Sequence, residues 1–321
     1  MKKGLIHLLI ISGLLSAFAD AEQLSFDRNA GNYNYLWNDQ QGKQQQIGFS
    51  LLNYPHHLTK FTQYRPQHAQ QYVLSQLKSS LSNIDPKQAR VTFNTQNDQL
   101  SYQLQGNDQA LLKEINTQLH QDIEQHYQDY LNQQYFVEQR TVDGSIGIMP
   151  DHNRLAKESA EYLTSWLNSS LNALGDKESS PREVTNYLLG FVQSIPYNQL
   201  RSKDNLRGAG YLTPIQVIRN NVGDCDSKST LIASALKTAF PRLDIAIIYV
   251  PNHALIALAI PARASDETVE IRGKKFVLAE PTGPALFQLG KVAKSSSQYI
   301  HSGLYTYQRI DWEPPKFKRV K

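Results

Sequence analysis

The chain is poor in the residues that build covalent or metal frameworks. Of 321 residues one is cysteine, Cys225, and two are methionine. A single thiol excludes an intramolecular disulfide scaffold and any zinc site made of several thiolates. Long apolar runs are also missing. The run from Leu5 to Leu15 is only about eleven residues, against the roughly 20 that a bilayer-spanning helix needs. The next candidate, Ile245 to Ile260, is interrupted by Pro251, Asn252 and His253, so no transmembrane anchor is expected. Charge of one sign is scarce too, with 33 basic residues against 29 acidic and a net charge of +4. That balance argues against a polyanion-binding role, and no nucleic acid is expected as partner.

What is present begins with an export pattern. Lys2 and Lys3 precede the apolar run, and Ala17-Phe18-Ala19 or Ala19-Asp20-Ala21 offers a small-x-small cleavage site. Residues 1–21 are therefore expected to be a cleavable signal peptide, and the mature protein periplasmic or secreted. No cysteine follows the small residues, so lipid anchoring is not indicated. A lone thiol kept in an oxidising compartment is exposed to oxidation, which favours a thiol that is used.

The remaining sequence divides by pattern into residues 22–140 and 141–321. In the N-terminal region Tyr33 to Trp37 and Ile47 to Leu51 flank the turn residues Asn38 to Gly42, which reads as a hairpin. A helix follows from about His68 to Leu81. The order then repeats, with Val91-Thr92-Phe93 and Leu100 to Leu104 around Asn97-Asp98, then a helix striped by Leu112, Ile115, Leu119 and Ile123. This region is expected to be a small α+β domain of two ββα units, with a recognition or regulatory role. Neither His56-His57 nor His120 and His126 has metal-ligand spacing, and neither metal nor cofactor is expected.

Within the C-terminal region a helix is expected from about Asn153 to Leu174, and another behind the cap Ser180-Pro181. Thr213-Pro214 opens a short helix leading into Gly223-Asp224-Cys225-Asp226, which delivers the thiol to the start of a buried helix. There, unpaired N–H groups and a partial positive charge stabilise a thiolate. Strands are expected at Ile245–Val250, Ala254–Ile260 and Phe276–Ala279. A hairpin with its turn between Asp266 and Glu267 sets His253 opposite Glu280, on the same face. Cys225 as nucleophile, His253 as base and acid, and Glu280 as orienting group meet the needs of acyl transfer. Asp224 and Asp226 oppose thiolate formation through their charge.

The order Phe191 to Tyr197, Thr213-Pro214, Gly223-Asp224-Cys225-Asp226, His253 and Glu280-Pro281-Thr282 resembles the transglutaminase-like superfamily of papain-like thiol enzymes, over about residues 150–290. The resemblance implies an α+β papain-like core, a nucleophile helix packed on an antiparallel sheet, with Cys225, His253 and Glu280 in the roles above. Glu280 departs from the aspartate usual in that family. Tyr211 is a side-chain candidate for the oxyanion site, beside the Cys225 backbone N–H.

The function expected is cleavage or transfer of a protein or peptide amide, including cell-wall peptides, through a Cys225 acyl-enzyme, with a peptidase or amidase favoured over a crosslinking transferase. The alternative is an inactive domain of the same fold that binds protein or peptide.

Overall fold

A computed structural model describes residues 22–82, 84–96, 99–175, 178–200, 210–314 and 319. The expected signal peptide and the Asn97-Asp98 turn lie outside them. The chain is mixed α/β, and among the described residues the paired strands are antiparallel. Among the described residues no helix is long and apolar enough to cross a membrane.

Strands β1 (Gln23–Asn29), β2 (Asn32–Asn38) and β3 (Gln44–Ser50) form the first sheet. The expected hairpin is its β2–β3 pair. Alternation along β2 buries Tyr33, Tyr35 and Trp37, and along β3 Ile47 and Phe49. Next come α1 (Pro66–Leu81), β4 (Ala89–Gln96), β5 (Gln99–Gly106) and α2 (Gln109–Gln133). The expected stripes meet here: Val73 and Leu77 of α1 share a small core with Ile115 and Leu119 of α2, and Leu112 and Ile123 pack against it. A ribbon of β6 (Phe136–Arg140) and β7 (Ile146–Pro150) then leads to the second half.

The aromatic face of the first sheet belongs to a different core. Phe191, from the later helix that starts at Pro181, packs edge-on against Tyr35 at 4.8 Å and Trp37 at 5.3 Å between ring centroids. The Tyr35 hydroxyl donates to the Ile218 carbonyl at 2.8 Å. These residues form one cluster with Leu231, Ala235, Ile256 and Val277. The hairpin is thus built into the core that holds the Cys225 helix.

The single helix expected over 153–174 is two, α3 (His152–Ser159) and α4 (Thr164–Ala173). At the break the Thr164 hydroxyl donates to the Glu161 carbonyl at 2.8 Å, and the Leu163 N–H is shared between Ser159 and Ala160 carbonyls, a tightened turn. Helix α5 (Pro181–Ser194) starts at a capping box of Ser180 and Glu183, and α6 (Pro214–Asn220) at one of Thr213 and Gln216. Helix α7 (Cys225–Ala239) follows.

The second sheet has the order β10-β11-β9-β8-β12, from β8 (Ile245–Val250), β9 (His253–Leu258), β10 (Thr268–Ile271), β11 (Lys274–Ala279) and β12 (Thr306–Ile310). Helix α8 (Lys294–His301) packs on one face and α7 on the other. Strands β9 and β11 are antiparallel neighbours as expected, but they are not one hairpin. The chain between them makes β10, which pairs with β11, so the tight turn falls at Arg272-Gly273. Their register, Ile256 opposite Ala279, places Glu280 level with Leu255 when continued, two residues along from His253. A shift of two keeps both side chains on the expected common face.

Candidate active site

Helix α7 is polar in sequence and buried from Ser227 to Thr238. It tolerates burial because its polar side chains end on backbone carbonyls. Ser229 donates to Cys225, Thr230 to Asp226, Ser234 to Ala156, and Thr238 to Ser234, all at 2.7–2.8 Å. Lys237 reaches Leu243, and Lys228 reaches Ile195 at 2.5 Å. Asp224 caps the helix by accepting the Ser227 N–H at 3.2 Å.

The turn before the thiol is fixed by a short parallel bridge between Tyr197 and Gly223. A side chain at Gly223 would press at 3.3 Å on both Lys228 and Val217, so glycine is what lets Lys228 pass. The Ile195-Pro196-Tyr197 segment and the cysteine turn, separate in sequence, therefore sit side by side.

The N–H groups of Ala254 and Asp226 point at the Cys225 sulfur. The thiol is thereby brought to the start of β9, at the backbone of the residue that follows His253. His253 Nε2 lies 2.9 Å from both oxygens of Glu280. Glu280 is buried, whereas the imidazole is 23 % exposed at its side chain. The diagonal register explains why glutamate serves here: side chains offset by two residues across a pair stand about 7–8 Å apart at their origins, a gap that the extra methylene helps to span. Gln193 of α5 donates to the Glu280 carbonyl at 2.7 Å and to the Phe287 carbonyl at 2.9 Å, and the Thr282 N–H donates to Glu280 Oε1 at 3.2 Å. These bonds fix the carboxylate that fixes the imidazole.

Comparison with protein-family models, curated proteins and solved structures gives no match.

Electrostatics at the thiol run against ionisation. Burial pushes the Cys225 thiol well up, and the carboxyl groups of Asp226 and Asp224 add to it; the Ala254 and Asp226 N–H groups pull the other way. The two aspartates hydrogen-bond each other. Burial, then the neighbouring Asp224 charge, pushes Asp226 well above the usual carboxylate range. Two carboxyl groups so placed share a proton, so the pair presents about one negative charge rather than two.

Three further buried groups adjoin these residues that the sequence reading did not single out. Lys228 is fully buried, and its charge faces Asp224, Glu280 and Cys225. Burial holds its pKa down to about 8 against the pull of those three. Gln193 is the second. The third, His152, is fully buried with Nδ1 2.9 Å from the Thr230 hydroxyl and Nε2 3.9 Å from Asp226 Oδ2. Burial lowers its pKa to about 3. Tyr211, the expected oxyanion candidate, packs its ring edge-on against His152 and Phe61, both at 5.0 Å. Its hydroxyl faces Thr230 and the two aspartates. The structure thus bonds His253 to Glu280, sets the Cys225 sulfur at the N–H of Ala254, the residue after His253, and gathers Tyr211 into the buried group behind Asp226.

Proposed function

We propose that this chain is an exported thiol hydrolase of papain-like, transglutaminase-like type, cleaving a peptide or related amide through a Cys225 acyl-enzyme. The observation that carries this reading is the His253–Glu280 pair, bonded at 2.9 Å, set next to the Ala254 N–H that meets the Cys225 sulfur. With its Nε2–H donated to Glu280, the ring keeps the Nδ1 lone pair for the thiol proton. The thiolate attacks the amide carbon. The oxyanion takes the Cys225 N–H at the start of α7, where helix donors are unpaired. His253 then gives the proton to the leaving amine, and water, activated by the same nitrogen, releases the acid and frees the thiol. Lys228 offsets the carboxyl charge around the thiol. The part with a core of its own, α1 to α2, serves substrate recognition or regulation, whereas the first sheet supports the core around α7.

One observation favours a second reading, an inactive module that binds peptide: burial and the adjacent aspartates hold the thiol protonated. Alkylation by iodoacetamide from pH 4 to 10, beside His253→Ala, separates the two. Rapid labelling near pH 6 that is lost in the histidine variant supports the hydrolase; labelling with a midpoint at or above that of an ordinary thiol, near 8.5, and no histidine effect supports the module. Cys225→Ser is expected to fold and lose turnover, and turnover retained in that variant would end the thiol mechanism.

A further inference from the structure

His253 and Glu280 line a cleft of about 310 Å³ that continues past the imidazole over the α8 face of the sheet. Its other walls include Val250 and Pro251 from the β8–β9 turn, Pro284, Ala285 and Phe287 from the segment after Glu280, and Tyr299 of α8, with Gly283 and Ala293 between them and the hydroxyls of Thr282, Ser295 and Ser296 as further polar lining. Among the described residues that line it, the ionisable pair His253–Glu280 is already joined internally, and no lysine, arginine or aspartate is present. A charged side chain entering here would leave water without gaining an ion partner. An aliphatic or aromatic one would exchange water for apolar surface.

The cleft is also held in shape by the catalytic support. Gln193 bonds the carbonyls of both Glu280 and Phe287, so the side chain that fixes the carboxylate also fixes the wall carrying Phe287. Its volume is at the low end for small-ligand sites, enough for one residue rather than an extended chain.

We infer that this cleft seats the residue on the leaving-amine side of the scissile amide and selects an uncharged apolar side chain there. The inference rests on the hydrolase reading, and follows from the order of groups. The carbonyl carbon sits over the Cys225 sulfur, His253 protonates the departing nitrogen, and the cleft is lined by His253. Apolar stretches of protein fit this chemistry. Cell-wall peptides with a free carboxylate or ammonium on that residue do not.

The test is direct binding of the amides of glycine, leucine, phenylalanine, aspartate and lysine to the mature full chain by calorimetry. Each supplies the leaving amine with a different side chain. Leucine and phenylalanine amides should bind about tenfold or more tighter than glycinamide, and the charged amides no tighter than glycinamide. Ala285→Trp, which fills the cleft, should remove the apolar advantage while iodoacetamide still labels Cys225. Equal affinities, a charged amide binding best, or no binding by any amide would overturn the inference. The two readings fail separately. Apolar preference with a sluggish thiol removes the hydrolase and leaves the cleft, whereas an activated thiol with no preference does the reverse.

Discussion

Lys228→Met is the perturbation that most directly tests the electrostatics of the site. The substitution keeps an unbranched side chain in place of a fully buried lysine whose charge faces Asp224, Glu280 and Cys225. Lys228 stands three residues after Cys225 on α7, so the origins of the two side chains lie roughly 5–6 Å apart. The ammonium ends on the Ile195 carbonyl; taking it as about 6 Å from a thiolate, an effective dielectric of about 20 gives roughly 3 kcal/mol, which is about 2 units in the thiol's pKa. The lysine holds its charge below its pKa of about 8 and loses it above. Its help to the thiolate is therefore present at pH 6 and fades as pH rises through 8. The ratio of wild-type to variant alkylation rates should be about 100 at pH 6 and fall toward 1 by about pH 9. The assay is iodoacetamide labelling under pseudo-first-order conditions, with thermal unfolding alongside. A ratio that stays constant with pH would show only damaged packing, and a ratio near 1 at pH 6 would refute the role argued for Lys228.

Glu280→Asp shortens the reach to His253 by one methylene across a diagonal register, and displacement on that scale costs about 100-fold in turnover; full activity on a cleaved amide would contradict the geometric account. His152 is neutral when folded, with a pKa of about 3, whereas unfolded histidine protonates near 6.5. Between those values the unfolded chain binds more protons, so stability falls as pH drops from 6.5 toward 3, by up to about 5 kcal/mol from this group. Urea unfolding at pH 7, 5 and 4 should show a shallower acid loss for His152→Gln than for the wild type, and equal slopes would discount the burial cost. Trp37→Ala should destabilise the core that contains α7 by about 3–5 kcal/mol, because Trp37 is fully buried against Phe191. A separate early unfolding step for residues 22–50, with the main transition unmoved, would show instead that the first sheet folds apart from that core.

The elements legible in the sequence were those set by local rules. Alternation located β2 and β3, and capping residues located the starts of α5 and α6. Helical stripes gave α1 and α2. The elements missed depend on what lies opposite. Strand β10 is four residues long, too short for its alternation to register, and it exists because β11 offers an edge. The break between α3 and α4 turns on one threonine hydroxyl and a tightened turn. Lys228 did leave a trace: it begins the buried face continued by Leu231, Ile232 and Ala235, where a lysine is out of place unless something inside receives its charge.

The departure at Glu280 joins these levels. With β9 and β11 as one hairpin, His253 and Glu280 would stand directly opposite, about 5 Å apart at their origins, and aspartate would suffice. In the observed sheet the chain between them forms β10 and the β9–β11 register differs from that hairpin by two residues, which preserves the face and lengthens the span. Glutamate covers that span, Gln193 holds its backbone, and Lys228 balances its charge from within α7. The length of the glutamate side chain then matches the longer span between the two strands. Pairing the sheet register with the side-chain length predicts that restoring aspartate without restoring the register weakens the site.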